Sequence, residues 1–244
     1  MPMSYIFREH IKQSLAVIAF LITLTACTSE SYDAGDGPNS YLTADLVLLH
    51  TSQDKSVRSA LLDDGTTLQF SNPFVQDWLT RPDSVYRALL YYDKTVAASD
   101  AAASNPTATS IVRARSVRPV SVLRPVEAED METLRTDPVG FESIWLSKNK
   151  SYINLSLLLK SGKTEADDAL HALGIVSHGT TTDADRRRTL HLTLYHDQGG
   201  VPAYYTVQQY VSIPTQLLEE ADTVELTLNT YNGKKVVKVA VSNL

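Results

Sequence analysis

The chain has 244 residues, of which 43% are hydrophobic and 20% are charged. These proportions are typical of a folded globular protein and argue against a disordered or fibrous chain. The formal net charge of −6 argues against a general nucleic-acid binder, because contacts with phosphate groups need a basic surface.

The first 26 residues have the features of an export signal. Basic residues precede an apolar stretch from Ser14 to Thr25, which falls short of the ~20 residues that a membrane-spanning helix needs. The string Leu24-Thr25-Ala26-Cys27 resembles the lipobox of bacterial lipoproteins. We therefore expect residues 1–26 to be a lipoprotein signal peptide; the alternative is a transmembrane anchor with a chance cysteine.

Cys27 is the lone cysteine of the sequence. An unpaired thiol in an exported protein requires an explanation, because disulfide frameworks use even numbers of cysteines. Lipidation supplies one, and two or three acyl chains such as palmitate would make a lasting anchor, since each buried methylene contributes about 0.8 kcal/mol. Because Thr28 and Ser29 follow the cysteine in place of aspartate, we expect anchoring in the outer membrane. The sequence does not indicate whether the protein faces the periplasm or the cell surface. Cleavage would leave a formal charge of −7, since residues 1–26 hold two basic residues and one acidic residue.

The segment after the cysteine is polar and rich in turn formers, so residues 27–40 are predicted to be a flexible tether. Apolar residues then alternate with polar ones from Leu42 to Leu48, which indicates a half-buried strand. The runs Val57–Leu62 and Thr66–Phe70 flank Asp63-Asp64-Gly65. Asp-Gly between two extended runs is a hairpin signal, because glycine adopts the positive φ of the tight turn without a steric penalty.

The next segment, Phe74–Leu79, follows Asn72-Pro73 and is compatible with one or two turns of helix. Two further strands are expected at Val85–Tyr92 and Thr109–Leu123, separated by a loop at 97–108. Five strands with a helix after the third match a small Greek-key barrel of the OB type. The sequence therefore predicts an OB-like domain over residues 41–124.

Residues 124–138 are charged and contain two prolines, so we expect a connection between domains there. A β-rich segment follows, and its last two strands flank Asn232-Gly233, a strong hairpin signal. Seven short strands separated by turn signals indicate a β-sandwich over residues 138–244. The predicted strands are Phe141–Leu146, Tyr152–Leu159, Ala172–Ser177, Thr189–His196, Tyr204–Ser212, Thr223–Thr230 and Lys235–Val241.

Several motifs, taken in their order along the chain, resemble the NigD-like lipoproteins of didermal anaerobes. They are Cys27, the hairpin Leu62–Leu68, the strand Tyr152–Leu155, His171 before Leu173–Val176, Leu192–Asp197 with Gly199-Gly200, and Val211–Pro214 with Leu217-Leu218. The resemblance implies an N-terminal OB domain followed by a C-terminal β-sandwich in a non-catalytic protein. The family name comes from an association with bacteriocin self-protection. The chain departs from the pattern by having no arginine just before His196, so a role based on that arginine does not carry over.

Templates for catalysis fit the sequence poorly. Ser177-His178 has its upstream glycine three residues before the serine, whereas a nucleophile elbow needs glycine two residues away on each side. We interpret this string as a strand end that passes into a polar loop. Asp63-Asp64 lies in a tight turn and Asp167-Asp168 in a loop, so neither pair is a good glycosidase dyad.

The histidines do not predict a metal site. His191 and His196 lie five residues apart on one predicted strand, and an odd spacing places them on opposite faces. We expect His196 to be satisfied by a backbone group at the strand end and His191 to be solvated. No cofactor is expected.

Four residues remain as binding candidates: Arg113, Arg115, Tyr205 and His191. The two arginines share one face of the fifth strand, where a solvated face or a contact with the second domain is favoured over ligand binding. Tyr91-Tyr92 and Tyr204-Tyr205 could stack on glycans, but strand alternation predicts that one tyrosine of each pair belongs to the core.

The leading hypothesis is a non-catalytic envelope protein, attached to the membrane through lipid on Cys27, that binds a protein or glycan partner and no nucleic acid. One alternative is a cell-envelope hydrolase with an unfamiliar site around Ser177, His178 or His191. The other is a lipoprotein that protects its own cell against a secreted bacteriocin.

Overall fold

Alternation of apolar and polar residues builds almost every regular element of this chain. The computed structural model describes residues 42–94, 110–163, 170–218 and 221–241, and in these ranges strands predominate, with two short 3-10 helices. The prediction of an all-β protein is confirmed. The predicted signal peptide, the tether with Cys27, the loop at 97–108 and Asp167-Asp168 lie outside the described residues. Within those ranges no helix combines the length and the apolar character that a membrane crossing requires.

The first five strands close into a barrel with the order β1-β2-β3-β5-β4, in which β3 and β5 are parallel. Alternate side chains point inward, so that Val47, Leu49, Ala60, Leu90 and Val112 form a buried core. The predicted five-stranded barrel is therefore confirmed. Its strands are β1 (Leu42–Thr51), β2 (Val57–Leu62), β3 (Thr67–Phe74), β4 (Val85–Lys94) and β5 (Ser110–Pro119).

The predicted helix after the third strand is wrong. Strand β3 continues to Phe74. Beside β5, the side-chain amide of Asn72 takes the place of main-chain hydrogen bonds between the two strands. Its Oδ1 accepts a hydrogen bond from the Ala114 N–H at 3.1 Å, and its Nδ2 donates to the Ala114 carbonyl at 3.2 Å. A single turn follows, in which the Leu79 N–H donates to the Gln76 carbonyl at 3.0 Å. The turn inserts Leu79 into the barrel core.

Two sheets form the second half of the chain. One has the order β14-β13-β11-β10-β7 and the other the order β6-β12-β9-β8. Leu155, Leu157 and Ile213 of the second sheet and Leu192 and Leu226 of the first belong to one buried core. The strands are β6 (Ser121–Val122), β7 (Pro125–Glu127), β8 (Gly140–Leu146), β9 (Tyr152–Ser161), β10 (Ala172–Thr182), β11 (Arg188–Asp197), β12 (Tyr205–Pro214), β13 (Thr223–Thr230) and β14 (Gly233–Ala240).

The sandwich gains two short strands beyond the seven predicted, all of which are present. Strand β6 pairs in parallel with β12, and β7 pairs in parallel with β10. Both come from the end of the predicted barrel domain and the predicted connection. The last barrel strand was predicted to run to Leu123, but β5 ends at Pro119 and β6 joins the sandwich. Strand β7, with three residues, is too short to show a period in the sequence. The division into domains 41–124 and 138–244 stays a prediction.

A buried polar network joins the barrel to the sandwich. The Arg87 side chain, only 1% exposed, donates to both carboxylate oxygens of Asp63 at 2.6 and 2.7 Å. It also donates to Asn154 Oδ1 at 3.0 Å and Ser212 Oγ at 3.1 Å, and it lies 4.4 Å from the centre of the Tyr152 ring. Asn154 Nδ2 donates back to Asp63 at 2.9 Å. Arg87 and Asp63 belong to the barrel and the other three to the sandwich, so this junction network holds the two parts together.

Candidate functional site

A cleft of about 350 Å³ lies between the outer face of the barrel and the outer face of the four-stranded sheet. This junction cleft has the size of a small-ligand site and combines apolar with polar groups, as such sites do. The barrel contributes Ala44, Asp45, Leu46, Leu62, Asp63, Asp64, Leu89 and Tyr91, and the sandwich contributes Trp145, Leu146, Ser147, Lys148 and Tyr210.

Three aromatic side chains line the junction cleft. Trp145 of β8 and Tyr210 of β12 pack edge to face, with ring centres 6.4 Å apart and an interplanar angle of 82°. The strand register explains their position. Trp145 pairs with Asn154 and Tyr210 pairs with Ser156. Because Asn154 and Ser156 both project from the outer face of β9, the two aromatic rings lie on that face as well. Tyr91 of β4 lines the barrel wall of the same cleft. The cleft therefore offers aromatic surface on both walls.

Polar groups surround these rings. Tyr92, next to Tyr91 but buried in the barrel, donates its hydroxyl to Asp45 Oδ2 at 2.8 Å. Burial, together with the carboxylate of Asp45, raises the pKa of the Tyr92 phenol well above its ordinary value. The Thr66 N–H donates to Asp64 at 2.9 Å and lowers the pKa of that carboxyl group, with a smaller contribution from the charge of Lys148.

A second polar group, the Glu142 cluster, adjoins the aromatic surface and consists of Glu142, Ser156 and Gln208. Ser156 Oγ and Gln208 Nε2 both donate to Glu142 Oε2 at 2.6 Å, and Gln208 Nε2 also lies 3.1 Å from Ser156 Oγ. The bonds from Ser156 and then Gln208 lower the pKa of Glu142. Gln208 precedes Tyr210 by two residues, so it projects from the same sheet face about 7 Å away.

The four predicted binding residues lie elsewhere. Arg113 and Arg115 are exposed on β5, where Arg115 forms an ion pair with Asp93. Tyr205 is 50% exposed at the start of β12. His191 lies on the outer face of the five-stranded sheet, with Nε2 2.7 Å from Thr181 Oγ1 and Nδ1 3.2 Å from Glu225 Oε1. Of these four described residues, none lines the junction cleft, and their roles in binding stay predictions.

The tyrosine pairs behave differently from each other. Tyr92 is buried and Tyr91 lines the junction cleft, as strand alternation predicted. For Tyr204 and Tyr205 the expectation that one belongs to the core is wrong, because they are 79% and 50% exposed. Tyr204 precedes the first residue of β12, so strand alternation does not apply to that pair.

Ser177 and His178 do not form a nucleophile and base pair. Ser177 is buried and its Oγ accepts a hydrogen bond from the Gly179 N–H at 3.3 Å, whereas the exposed His178 ring lies 2.9 Å from Thr193 Oγ1. Strand β10 has an irregularity after Ser177 and continues to Thr182, so the strand end predicted at Ser177 lies five residues further on. The two side chains are engaged on opposite sides of the strand.

His196 is satisfied by a backbone group, as predicted. It is 1% exposed, and its Nδ1 lies 3.0 Å from the Asp137 carbonyl oxygen. Its Nε2 lies 3.0 Å from Nδ1 of His171, and the two rings stack with centres 5.2 Å apart. His191 projects from the other face of β11. Among the described residues, no three His, Cys, Asp or Glu side chains are close enough together to hold a metal ion.

The stacked histidines predict a pH-dependent stability. Burial and the neighbouring His196 lower the pKa of His171 from its ordinary 6.5, and the Lys160 backbone acts in the opposite direction. Below pH 6.5 the unfolded chain therefore binds more protons than the folded chain, so stability falls as the pH drops from 6.5 through the folded pKa. Urea unfolding between pH 7.5 and pH 5 should show this loss, with a shallower slope in His171→Asn.

The control for this experiment is Leu170→Asn, since Leu170 is 73% exposed and does not titrate. We expect it to keep the slope of the unmodified chain. Equal slopes for the unmodified chain and His171→Asn would contradict the assignment.

Comparison with other proteins assigns the second part of the chain to a domain family. Residues 122–241 match the NigD-like C-terminal β-sandwich domain. Solved structures with a similar fold include a NigD-like immunity protein from Bacteroides caccae, with 23% identity and a TM-score of 0.59 over 81% of this chain and 91% of that one. They also include a candidate toxin-related protein from Parabacteroides distasonis, with 18% identity and a TM-score of 0.55 over 81% and 92% of the two chains.

A candidate lipoprotein from Bacteroides fragilis is also similar, with 12% identity and a TM-score of 0.58 over 83% of this chain and 99% of that one. No curated protein matches the chain. At these identities the solved structures show a shared fold. Residues 122–241 form a NigD-like C-terminal β-sandwich domain, in agreement with the resemblance of the sequence motifs.

Proposed function

We propose that this protein is a non-catalytic lipoprotein of the outer membrane that binds its ligand in the junction cleft. The observation that carries the proposal is the cleft itself, about 350 Å³ in volume and lined by three aromatic residues. Its two walls belong to the barrel and the sandwich, and the buried bonds of Arg87 hold them in place. A site whose walls are fixed before binding loses little conformational entropy when the ligand arrives.

The chemistry around the candidate nucleophile supports a non-catalytic role. The hydrogen bonds of Ser177 and His178 go to different partners. Relatives with the same fold are described as an immunity protein, a toxin-related protein and a lipoprotein. Alanine substitution at Ser177, His178 and His191 should leave growth and envelope composition unchanged. A growth defect with an intact fold would favour the hydrolase alternative.

The lipid anchor rests on the lipobox-like string that ends at Cys27. The relative from Bacteroides fragilis, a candidate lipoprotein, supports the same assignment. Cys27→Ser should abolish incorporation of radiolabelled palmitate and move the protein from the membrane pellet to the soluble fraction. Palmitate-free protein that still sediments with membranes would contradict the anchor. Protease treatment of intact cells then distinguishes the two faces of the membrane, since only a surface-facing protein would release peptides.

The binding role can be tested by filling the cleft. Ala44 lines the cleft and is exposed on β1, so Ala44→Trp should block entry without removing any existing contact. The matched control is Val236→Trp on β14, at a position that is 48% exposed and outside the cleft. Full-length protein in detergent should retain envelope components that A44W loses and V236W keeps. Identical retention by all three chains would overturn the proposal.

Bacteriocin self-protection is the second candidate. It is favoured by the family and by the name of the Bacteroides caccae relative, a NigD-like immunity protein. Deletion of the gene should then sensitise the cell to a bacteriocin made by its own or a neighbouring strain. Unchanged sensitivity would dismiss this candidate and leave the ligand-binding proposal intact.

A further inference from the structure

The aromatic residues of the junction cleft favour a ligand that is partly apolar and partly polar. Trp145, Tyr210 and Tyr91 present rings with polar edges, and such amphipathic rings supply large contact areas at low entropic cost. Two aliphatic residues of the lining, Leu46 and Leu62, are only 8% and 9% exposed and add little surface. The flat C–H face of a sugar ring would find aromatic surface on both walls.

The Glu142 cluster adds the groups that hydroxyls need. Glu142 Oε2 already accepts from Ser156 and Gln208, but a carboxylate has about four acceptor positions on its two oxygens. The lowered pKa of Glu142 keeps it ionised, and hydrogen bonds to an ionised acceptor are the stronger kind. The amide nitrogen of Gln208 donates to Glu142 and Ser156, which leaves the amide oxygen as a further acceptor for a ligand hydroxyl. Neighbouring hydroxyl groups on one sugar match this combination.

The charges near the cleft exclude some ligands. The carboxyl groups of Asp45, Asp64 and Glu142 outnumber the single ammonium group of Lys148 in this surface. Asp63 adds nothing to the net charge of the cleft, because it is paired with Arg87. A local excess of negative charge repels anionic partners. Uronic acids, sulfated sugars and nucleic acids are therefore disfavoured, and neutral ligands are not.

The barrel wall of the cleft also disfavours an extended peptide. Strands β1 and β4 each pair with neighbours on both sides, so they offer side chains in place of free main-chain groups. A peptide that adds to a sheet needs an open strand edge with unpaired backbone groups. A saccharide is bound through side chains alone, as these faces provide.

We infer that the junction cleft and the adjoining Glu142 cluster form one continuous site for a neutral oligosaccharide. The inference rests on the proposed binding function and names its ligand class. The site continues about 7 Å beyond the cleft, from Tyr210 to Gln208 along β12. A ligand of more than one sugar unit would use both parts, with rings stacked on the aromatic residues and hydroxyls bonded to Glu142 and Gln208.

Calorimetric titration tests the inference with full-length protein in detergent. The probes are neutral cello-, malto-, manno- and xylo-oligosaccharides and oligomers of N-acetylglucosamine, with alginate oligomers and a lysine-rich peptide for comparison. At least one neutral probe should bind, and Trp145→Ala should weaken it by about tenfold or more, as loss of a central aromatic contact does. Trp145→Phe should retain most of the affinity, and Gln208→Ala should weaken binding without affecting the fold.

The matched control is Tyr204→Ala, which removes an aromatic side chain that is 79% exposed and outside the cleft. It should bind as the unmodified protein does. Because Trp145→Ala also removes the packing of Trp145 against Tyr210, Ala44→Trp provides a second variant that blocks the cleft by addition. Binding of the neutral probe should change little between low and high salt, since no ionic contact is required.

Three outcomes are decisive. Cleft-dependent capture of envelope components without binding of any neutral probe overturns the saccharide inference and leaves the proposed function standing. Salt-sensitive binding of the lysine-rich peptide or of alginate in the cleft overturns it as well. If the unmodified, folded protein neither captures envelope components nor binds any probe, both the proposed function and the inference are overturned.

Discussion

Asp63→Ala is expected to lower the free energy of unfolding by about 3–5 kcal/mol, the cost of breaking a buried ion pair from one side. The substitution leaves the guanidinium of Arg87, only 1% exposed, without its two shortest hydrogen bonds. Asn154 and Ser212 remain, but they are neutral and cannot balance the charge. Urea unfolding followed by tryptophan fluorescence measures the loss.

The control is an ion pair on the surface of the same barrel. Arg58 lies 3.9 Å from Asp54, and both side chains are more than 60% exposed, so Arg58→Ala should cost less than about 1 kcal/mol. Replacing Asp63 with Leu and Arg87 with Met together should recover most of the loss, because an apolar pair of similar volume needs no charge balance. An Asp63→Ala chain as stable as Arg58→Ala would contradict the role of the junction network.

Leu49→Ala is expected to cost about 2–5 kcal/mol, the range for deletion of a buried leucine side chain. Leu49 is 0% exposed and belongs to the core of the barrel. Leu42→Ala on the same strand is the matched control, because Leu42 is 40% exposed and surface substitutions usually change stability by about 0.5 kcal/mol or less.

The same variants test whether the barrel and the sandwich unfold together. Trp78 packs against the barrel core and Trp145 lies on β8 of the sandwich, so each tryptophan reports one part when the other is replaced by Phe. Since the Arg87 bonds cross the junction, we expect Leu49→Ala to shift both transitions to lower urea. A shift of the Trp78 transition alone would show that the junction network does not couple the two parts.

Strand alternation predicted most of this fold. The barrel strands and all seven predicted sandwich strands are present, because each is long enough to bury one face and expose the other. The short pairings of β6 and β7 lack that period. The segment Phe74–Leu79 failed for another reason: Asn72-Pro73 resembles a helix start, but the Asn72 side chain extends the sheet beside Ala114.

The site could be predicted only in part. One tyrosine of the Tyr91-Tyr92 pair was expected in the core, and the structure buries Tyr92 there while Tyr91 lines the cleft. Tyr210 alternates with Val211 in the sequence, so its outward direction could have been predicted from the same pattern. The sequence pattern does not show which surface forms the second wall of the cleft. The cleft exists because Arg87 holds the barrel against that face, and no local period shows which strand will oppose another.

The junction network has a consequence for how the chain matures. Arg87 and Ser212 are separated by 125 positions, and β6 and β7, directly after the barrel, pair with strands β12 and β10. Contacts of such long range form late. Because the chain is synthesised from its N-terminus, the Arg87 guanidinium lacks its last acceptor until Ser212 has been made. A chain that ends before residue 212 would therefore keep a buried guanidinium with an incomplete set of hydrogen bonds and one wall of the cleft unfinished.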